Sequence, residues 1–411
     1  MIKKDKALGR TYLKQPANSQ TKIYADEAIV NLFFDGTLNN YYNANKRNDD
    51  SSYGGDLSNV ARMWAPIKDF DSKCAVYIDG IGTTRFREDT MDGYAYGDGD
   101  TGVMVRADSA FEQIHKAVIK AYGSVPVSVK LNVYGFSRGA ATARTFVHWF
   151  NTERQQRFKD NSSKWQGVDA RINFVGLFDT VSSYAPSEDR SFKKIPKENA
   201  FHNDVSQLHL NFVSGYAKKV VHITAGDEYR KNFTLTNIAS AKGLGIGYEL
   251  EIPGSHSDVG GGYHAVSMER HVFRDPKVRE LVLKRGWYES HELRWMNGAW
   301  DASRKVYGQY HKVALAIMVD KANQYGKVGI PNGVFEVNTA KPDGKDVLEI
   351  QGKLRKFAQN ERSNTRWSID GYKDESYAKW FRRWFLHLSA EEASVAHQYG
   401  DQFNRLPPIT G

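Results

Sequence analysis

The chain has 411 residues, 40% of them apolar and 13% aromatic, with a formal net charge of +9 and one cysteine. That length and apolar content suit one large domain with insertions, or two domains, and exclude a disordered chain. The lone Cys74 excludes an internal disulfide and fits folding in a reducing compartment.

Residues 1–27 are polar and read as an N-terminal extension. Their basic start, Met1 to Lys6, is followed by no apolar h-region, so no signal peptide is expected. Residues 28–34 form an apolar run predicting a buried strand that ends at Asp35-Gly36-Thr37. A polar loop to Leu57 and a short helix over 58–67 follow, then a second strand over 75–78 and a glycine-rich loop over 93–102. Ala107, Ala110, Phe111, Ile114, Val118 and Ala121 are spaced for one helix face. A strand over 127–134 leads into Gly135-Phe136-Ser137-Arg138-Gly139, and the small and apolar residues 140–147 predict a helix after it. Further strands are expected over 172–178, ending at Asp179, and over 220–224 and 248–252. The longest apolar stretches, such as 28–34 and 313–319, are too short to span a bilayer.

Strands alternating with helices predict an α/β fold with a mostly parallel sheet and helices on both faces. Ligands of such sheets bind beyond the carboxyl ends of the strands. Asp35, Asp79, Ser137 and Asp179 all stand there. The glycine-flanked Ser137 between a strand and a helix matches the nucleophile turn of an α/β-hydrolase-like sheet. Three regions are expected: the extension 1–27, a catalytic domain over 28–265, and a mixed C-terminal region over 266–411 packed on the core.

A serine nucleophile needs a base. His256, set among glycines in Gly254-Ser255-His256-Ser257-Asp258-Val259-Gly260-Gly261-Gly262, is the first choice, ahead of His264 and His387. The orienting carboxylate is Asp179 or its rival Asp227. Asp258 is too near His256 in the chain to reach its ring and is expected to pin the loop. The oxyanion of an acyl-transfer intermediate calls for backbone N–H donors, expected from Arg138 and Gly36. Asp35 beside Asp79 or Asp98 is a weaker metal reading, because the run Asp98-Gly99-Asp100 lacks the rest of a calcium loop. No metal and no cofactor are expected.

The blocks Phe33-Phe34-Asp35-Gly36-Thr37, Gly135-Phe136-Ser137-Arg138-Gly139-Ala140, Gly176-Leu177-Phe178-Asp179-Thr180-Val181 and 254–263 fall in an order that resembles a known family. It is the α/β-hydrolase domain family that includes the first class of type VI secretion lipase effectors. The resemblance covers roughly residues 28–265. It implies Ser137 as nucleophile, Asp179 as acid and His256 as base, with acyl esters of glycerophospholipids as substrate. It also implies an antibacterial effector delivered by a type VI system into the periplasm of a target cell, with a secretion spike protein and a cognate immunity protein as partners. One departure is Ile223-Thr224-Ala225-Gly226-Asp227-Glu228-Tyr229-Arg230, where the family often carries an alanine-rich stretch before Asp-Glu-Arg.

The positive charge points to a polyanionic partner. Without zinc-finger spacing, ribonucleoprotein motif or leucine heptads, nucleic acid is not expected. That leaves an acidic membrane surface, or a basicity that only sets solubility. Trp367, Tyr372, Tyr377, Trp380 and Trp384 interleave with Arg355, Lys356, Arg362, Arg366, Lys373, Lys379, Arg382 and Arg383, a pattern that either meets lipid headgroups or packs on the core. The basic segment 190–194 after Asp179 is a lid candidate. Two other functions compete: an esterase or thioesterase of soluble substrates, and a non-catalytic binding module of the same fold.

Overall fold

The structure is a computed structural model that describes residues 3–5, 10–12, 27–47, 49–68, 74–185, 206–341, 344–390 and 408. Six apolar runs become strands: β1 (Glu27–Phe34), β2 (Cys74–Ile78), β3 (Ser128–Phe136), β4 (Asp169–Phe178), β5 (Lys219–Ala225) and β6 (Gly247–Ile252). They form one sheet in the order β2-β1-β3-β4-β5-β6, and every neighbouring pair is parallel. Parallel neighbours require crossovers, and the chain supplies helices α1 (Asn59–Trp64), α2 (Met91–Tyr96), α3 (Val103–Tyr122) and α4 (Arg138–Thr152) among them. Later come α5 (His256–Gly260), α6 (His311–Lys321) and α7 (Glu375–Phe385).

Both faces of the sheet are covered, which is why its strands read as unbroken apolar runs. On one face Ala28, Val30, Leu32 and Phe34 of β1 pack with Phe111 and Ile114 of α3 and Phe146 and Phe150 of α4. On the other, Phe33 stacks on Tyr134 with ring centroids 4.7 Å apart. These two join a cluster with Val313, Leu315 and Ile317 of α6 and Phe381 and Phe385 of α7. The apolar core therefore runs across residue 265 into the C-terminal region.

That region also holds an antiparallel sheet of β7 (Val266–Phe273), β8 (Leu293–Met296) and β9 (Ala299–Tyr307), in the order β8-β9-β7. Trp367, Tyr372, Tyr377 and Trp384 are half-buried against the core. Several of the cations interleaved with them are paired: Arg355 with Asp320, Arg366 with Glu251, Arg382 with Asp370 and Arg383 with Glu292. Trp380, by contrast, is 39% exposed, so the stretch packs on the core and also leaves one tryptophan at the surface.

Residues 93–102, read as a loop, instead contain the end of α2 and a 3-10 turn over Gly99–Thr101. Position 93 inside α2 takes a glycine because a Cβ there would meet Gly82 Cα at 2.5 Å, and Gly97, at φ 72°, ends the helix. In the N-terminal extension Lys3–Asp5 pairs antiparallel with Arg10–Tyr12. The lid candidate 190–194 lies outside the described residues. Among the described residues, no helix is long and apolar enough to cross a membrane.

Candidate active site

Three neighbouring strands, β1, β3 and β4, deliver Asp35, Ser137 and Asp179 to the carboxyl edge of the sheet. Ser137 takes φ 58° and ψ −131°, a conformation costly for a residue with a Cβ. The turn is held by the Ser137 N–H donating to Phe178 O at 3.1 Å and by the Ala140 N–H donating to Ser137 O at 2.9 Å. Its tightness explains the flanking glycines. A Cβ at 135 would stand 2.5 Å from Ala140 Cα, and one at 139 would stand 2.2 Å from Asp35 O. The turn is thereby fixed with the serine at the head of α4, whose first N–H groups lack intrahelical acceptors.

Asp179, also at positive φ (38°), is fully buried. Its Oδ1 accepts the Ala225 N–H at 2.9 Å, and its Oδ2 pairs with His256 Nδ1 at 2.7 Å. His256 is the first residue of the one-turn helix α5 rather than part of an open loop. Its ring lies between Phe136 and Phe233, with centroids at 4.6 and 5.0 Å. Burial drives its pKa below the ordinary imidazole value, and the bond to Asp179 and that carboxylate's charge only partly offset this. Ser137 and His256 open onto one cavity of about 700 Å³, also lined by Thr37, Arg138, Arg230 and Phe233.

The competing candidates are occupied elsewhere. Asp227 accepts the Gly254 N–H at 2.8 Å and the Tyr229 hydroxyl at 2.6 Å, so it braces the loop before α5. Asp258 caps α5 by accepting the Ser255 N–H at 2.9 Å, and its Oδ1 holds His387 Nδ1 at 2.7 Å. His264 lines the cavity, but the carboxylate partner stands at His256. Asp35 accepts from Gly36 N–H, Ser58 Oγ and Tyr77 Oη at 2.8, 2.5 and 2.5 Å. Burial pushes its pKa up to about 6. Asp79 pairs with Arg85.

One expectation needs correcting. The Gly36 N–H donates to Asp35 Oδ1 and is committed within its own turn. Gly36 is there for close approach: a Cβ would stand 2.5 Å from Phe136 Cδ1. The next N–H, of Thr37, has no acceptor among the described residues, and Thr37 lines the cavity. The Arg138 side chain fixes this turn. Its Nε donates to Thr37 Oγ1 at 2.9 Å, and its other nitrogens donate to Gly93 O and Tyr94 O of α2. Burial pulls the Arg138 pKa down to about 10.

Sequence reasoning missed Glu228 and Arg230. Glu228 is fully buried, accepts the His256 N–H at 3.1 Å, and pairs with Arg230 at 3.0 Å. Burial alone would raise the Glu228 pKa, but Arg230, with a contribution from His256, holds it down at about 2. The stretch from Asp227 to Arg230 was the available signal, since a buried acid two residues before an arginine calls for a pair.

A family model described as the catalytic domain of Tle1-like phospholipase effectors of the type VI secretion system matches residues 29–152 and 148–297, well over half of the chain. A solved structure of the Tle1 effector bound to the VgrG spike of that system superposes with a TM-score of 0.60. The two are 18% identical, and 96% of this chain and 98% of that one are covered. An uncharacterised protein from Pseudomonas aeruginosa aligns more weakly, with a TM-score of 0.42 and 17% identity over 86% of this chain and 52% of that one. No curated protein matches the chain. With a six-stranded parallel sheet, an elbow serine at its edge and this match across the sheet domain, the chain belongs to the family of Tle1-like phospholipase effectors of the type VI secretion system.

Proposed function

We propose that the chain hydrolyses acyl esters of glycerophospholipids as a phospholipase A, with Ser137 as nucleophile, His256 as base and Asp179 as the acid that orients it. The observation that carries this reading is the 2.7 Å contact from Asp179 Oδ2 to His256 Nδ1, beside a strained serine turn on the same cavity. A carboxylate on Nδ1 selects the tautomer whose Nε2 accepts a proton. His256 then takes the Ser137 proton as Oγ adds to the ester carbonyl. It returns that proton to the departing lysophospholipid oxygen. The acyl-serine is next attacked by a water that His256 deprotonates, and His256 returns that proton to Ser137 Oγ as the acyl–Oγ bond breaks and the fatty acid leaves. The low His256 pKa keeps the base neutral and ready.

The oxyanion would be held by the N–H groups of Arg138 and Thr37, the second replacing Gly36. Each such donor is typically worth about 3 kcal/mol of barrier. The chain would act after delivery on a spike protein, in the periplasm of a target cell, and its producer would hold an immunity protein against it. The test is fatty-acid release from phospholipid vesicles by the wild type and by Ser137→Ala. Release by the wild type and none above background by the variant is expected, and equal release by both would overturn the mechanism. Turnover of short-chain soluble esters with no vesicle hydrolysis would reassign the substrate.

A further inference from the structure

We infer that the outer face of the antiparallel sheet β8-β9-β7 is a docking surface for an anionic lipid bilayer. This rests on the phospholipase reading for its purpose, but its test does not depend on hydrolysis. Strand alternation divides β7 and most of β9, while Trp295 of β8, on the inner register with Trp300, is 58% exposed. His271 and Phe273 of β7 and Ala302, Arg304 and Val306 of β9 turn inward and are buried. The residues between them turn out. An antiparallel sheet with one buried face ordinarily shows water a polar one. Here the outer face mixes two chemistries. Val266, Met268 and Met296 are 41%, 63% and 54% exposed. Arg270, Arg294 and Lys305 are exposed on the same side.

The pairing register ties them into one stripe. Lys305 stands opposite Met268, Ser303 opposite Arg270 and Tyr307 opposite Val266. Residues 266 to 272 alone extend the stripe over roughly 20 Å. Its single acid, Asp301, is opposite Arg294. Flexible apolar side chains interleaved with cations suit the boundary of a bilayer, where the apolar groups enter the acyl edge and the cations meet phosphate.

The Val266 end of the stripe borders the candidate active site: the next residue, Ser267, which alternation turns to the other face, lines the cavity onto which Ser137 opens. Val266 and Tyr307 line a neighbouring pocket of about 220 Å³ that brings Lys312 and Lys341 to the same end of the sheet and shares Tyr263 with the larger cavity.

The experiment measures vesicle binding with the full chain carrying Ser137→Ala, by co-sedimentation with vesicles of phosphatidylglycerol mixed with phosphatidylethanolamine and, separately, of phosphatidylcholine alone. Binding to the anionic vesicles that weakens with salt is expected. Adding R270S, R294S and K305S together should lower affinity about a hundredfold, at about fivefold per cation. M268D alone should weaken binding on both kinds of vesicle. The same substitutions placed in the otherwise wild-type chain should leave turnover of a soluble short-chain ester unchanged. Three results overturn the inference: no binding of the parent to anionic vesicles, equal binding by the triple variant, or an equal loss of soluble-ester turnover.

Discussion

Asp179→Asn is the sharpest perturbation of the site, because the structure dictates which way the new amide must sit. Asp179 Oδ1 accepts the Ala225 N–H and Oδ2 faces His256 Nδ1. If the amide oxygen keeps the Ala225 bond, its NH₂ points at Nδ1. That nitrogen must then become the acceptor, and the imidazole proton moves to Nε2, the atom required to take the Ser137 proton. The reverse orientation sets NH₂ against the Ala225 N–H, two buried donors facing each other. Leaving such a donor unsatisfied costs about 1–3 kcal/mol. The wrong tautomer therefore prevails, and the expected loss is about 10⁴-fold in kcat, or about 5.5 kcal/mol of barrier. Because the amide is nearly isosteric and keeps one bond, the variant should fold. The assay is turnover of a soluble short-chain ester, with thermal melting as the folding control and Asp227→Asn as the comparison. A loss below tenfold for Asp179→Asn, or an equal loss for Asp227→Asn, refutes the reasoning.

Two further predictions concern protons. As the proposed base, His256 must be neutral to act, and burial holds its pKa below the ordinary value of 6.5, so the acid limb of the kcat/KM profile should fall below that pH; a midpoint at or above 6.5 contradicts the assignment. Glu228 is held at about 2 against an ordinary 4.5. A carboxylate with a depressed folded pKa adds stability above pH 4.5 and loses it as pH falls toward 2. The contribution is about 3 kcal/mol at neutral pH. Glu228→Gln also strands Arg230, so it should destabilise the chain by roughly 3–5 kcal/mol near pH 7, and the gap to the wild type should narrow below pH 4.5. Urea denaturation at several pH values reads both effects, and a gap that does not change with pH rules out the paired carboxylate.

Much of the sheet was legible because strands buried on both faces leave nearly unbroken apolar runs, and the chemical residues follow those runs directly. Ser137 was visible as well, since only glycines fit where the backbones of β1, β3 and α4 converge. The identity of the second N–H beside it was not. Whether Gly36 or Thr37 points its N–H outward depends on the Asp35 carboxylate folding back onto Gly36, a choice of rotamer and turn that no residue pattern reports. The Asp179–His256 pair joins residues 77 apart, and nothing local separates Asp179 from Asp227. Only the fold separates them: Asp179 meets His256 Nδ1, while Asp227 accepts from the Gly254 N–H and the Tyr229 hydroxyl. The aromatic and basic C-terminal stretch was ambiguous for a related reason: amphipathic side chains fill a core and face a membrane with the same composition. The alternation of 266–273 was the better signal, with exposed residues at 266, 268 and 270 against buried ones at 271 and 273.

The region after residue 265 is part of the site's framework. Residues 386–390 return beneath α5 as a short strap. The His387 N–H donates to Asp258 Oδ2 at 2.8 Å while the His387 ring stacks on Tyr263 at 3.6 Å. The Leu388 N–H donates to Glu269 Oε1, and Ser389 Oγ donates to Glu228 Oε2, each at 2.8 Å. Two of these acids hold the helix that carries His256: Asp258 caps it, and Glu228 accepts its first N–H. Both are buried, so each donor that the strap supplies offsets a desolvation cost that would otherwise fall on the helix itself. A one-turn helix has no stability of its own. The position of His256 is therefore set jointly by the sheet, through Asp179, and by a segment about 130 residues further along the chain. The same strap joins α7 to Glu269 of β7, so the proposed lipid-facing sheet and the histidine share one set of supports.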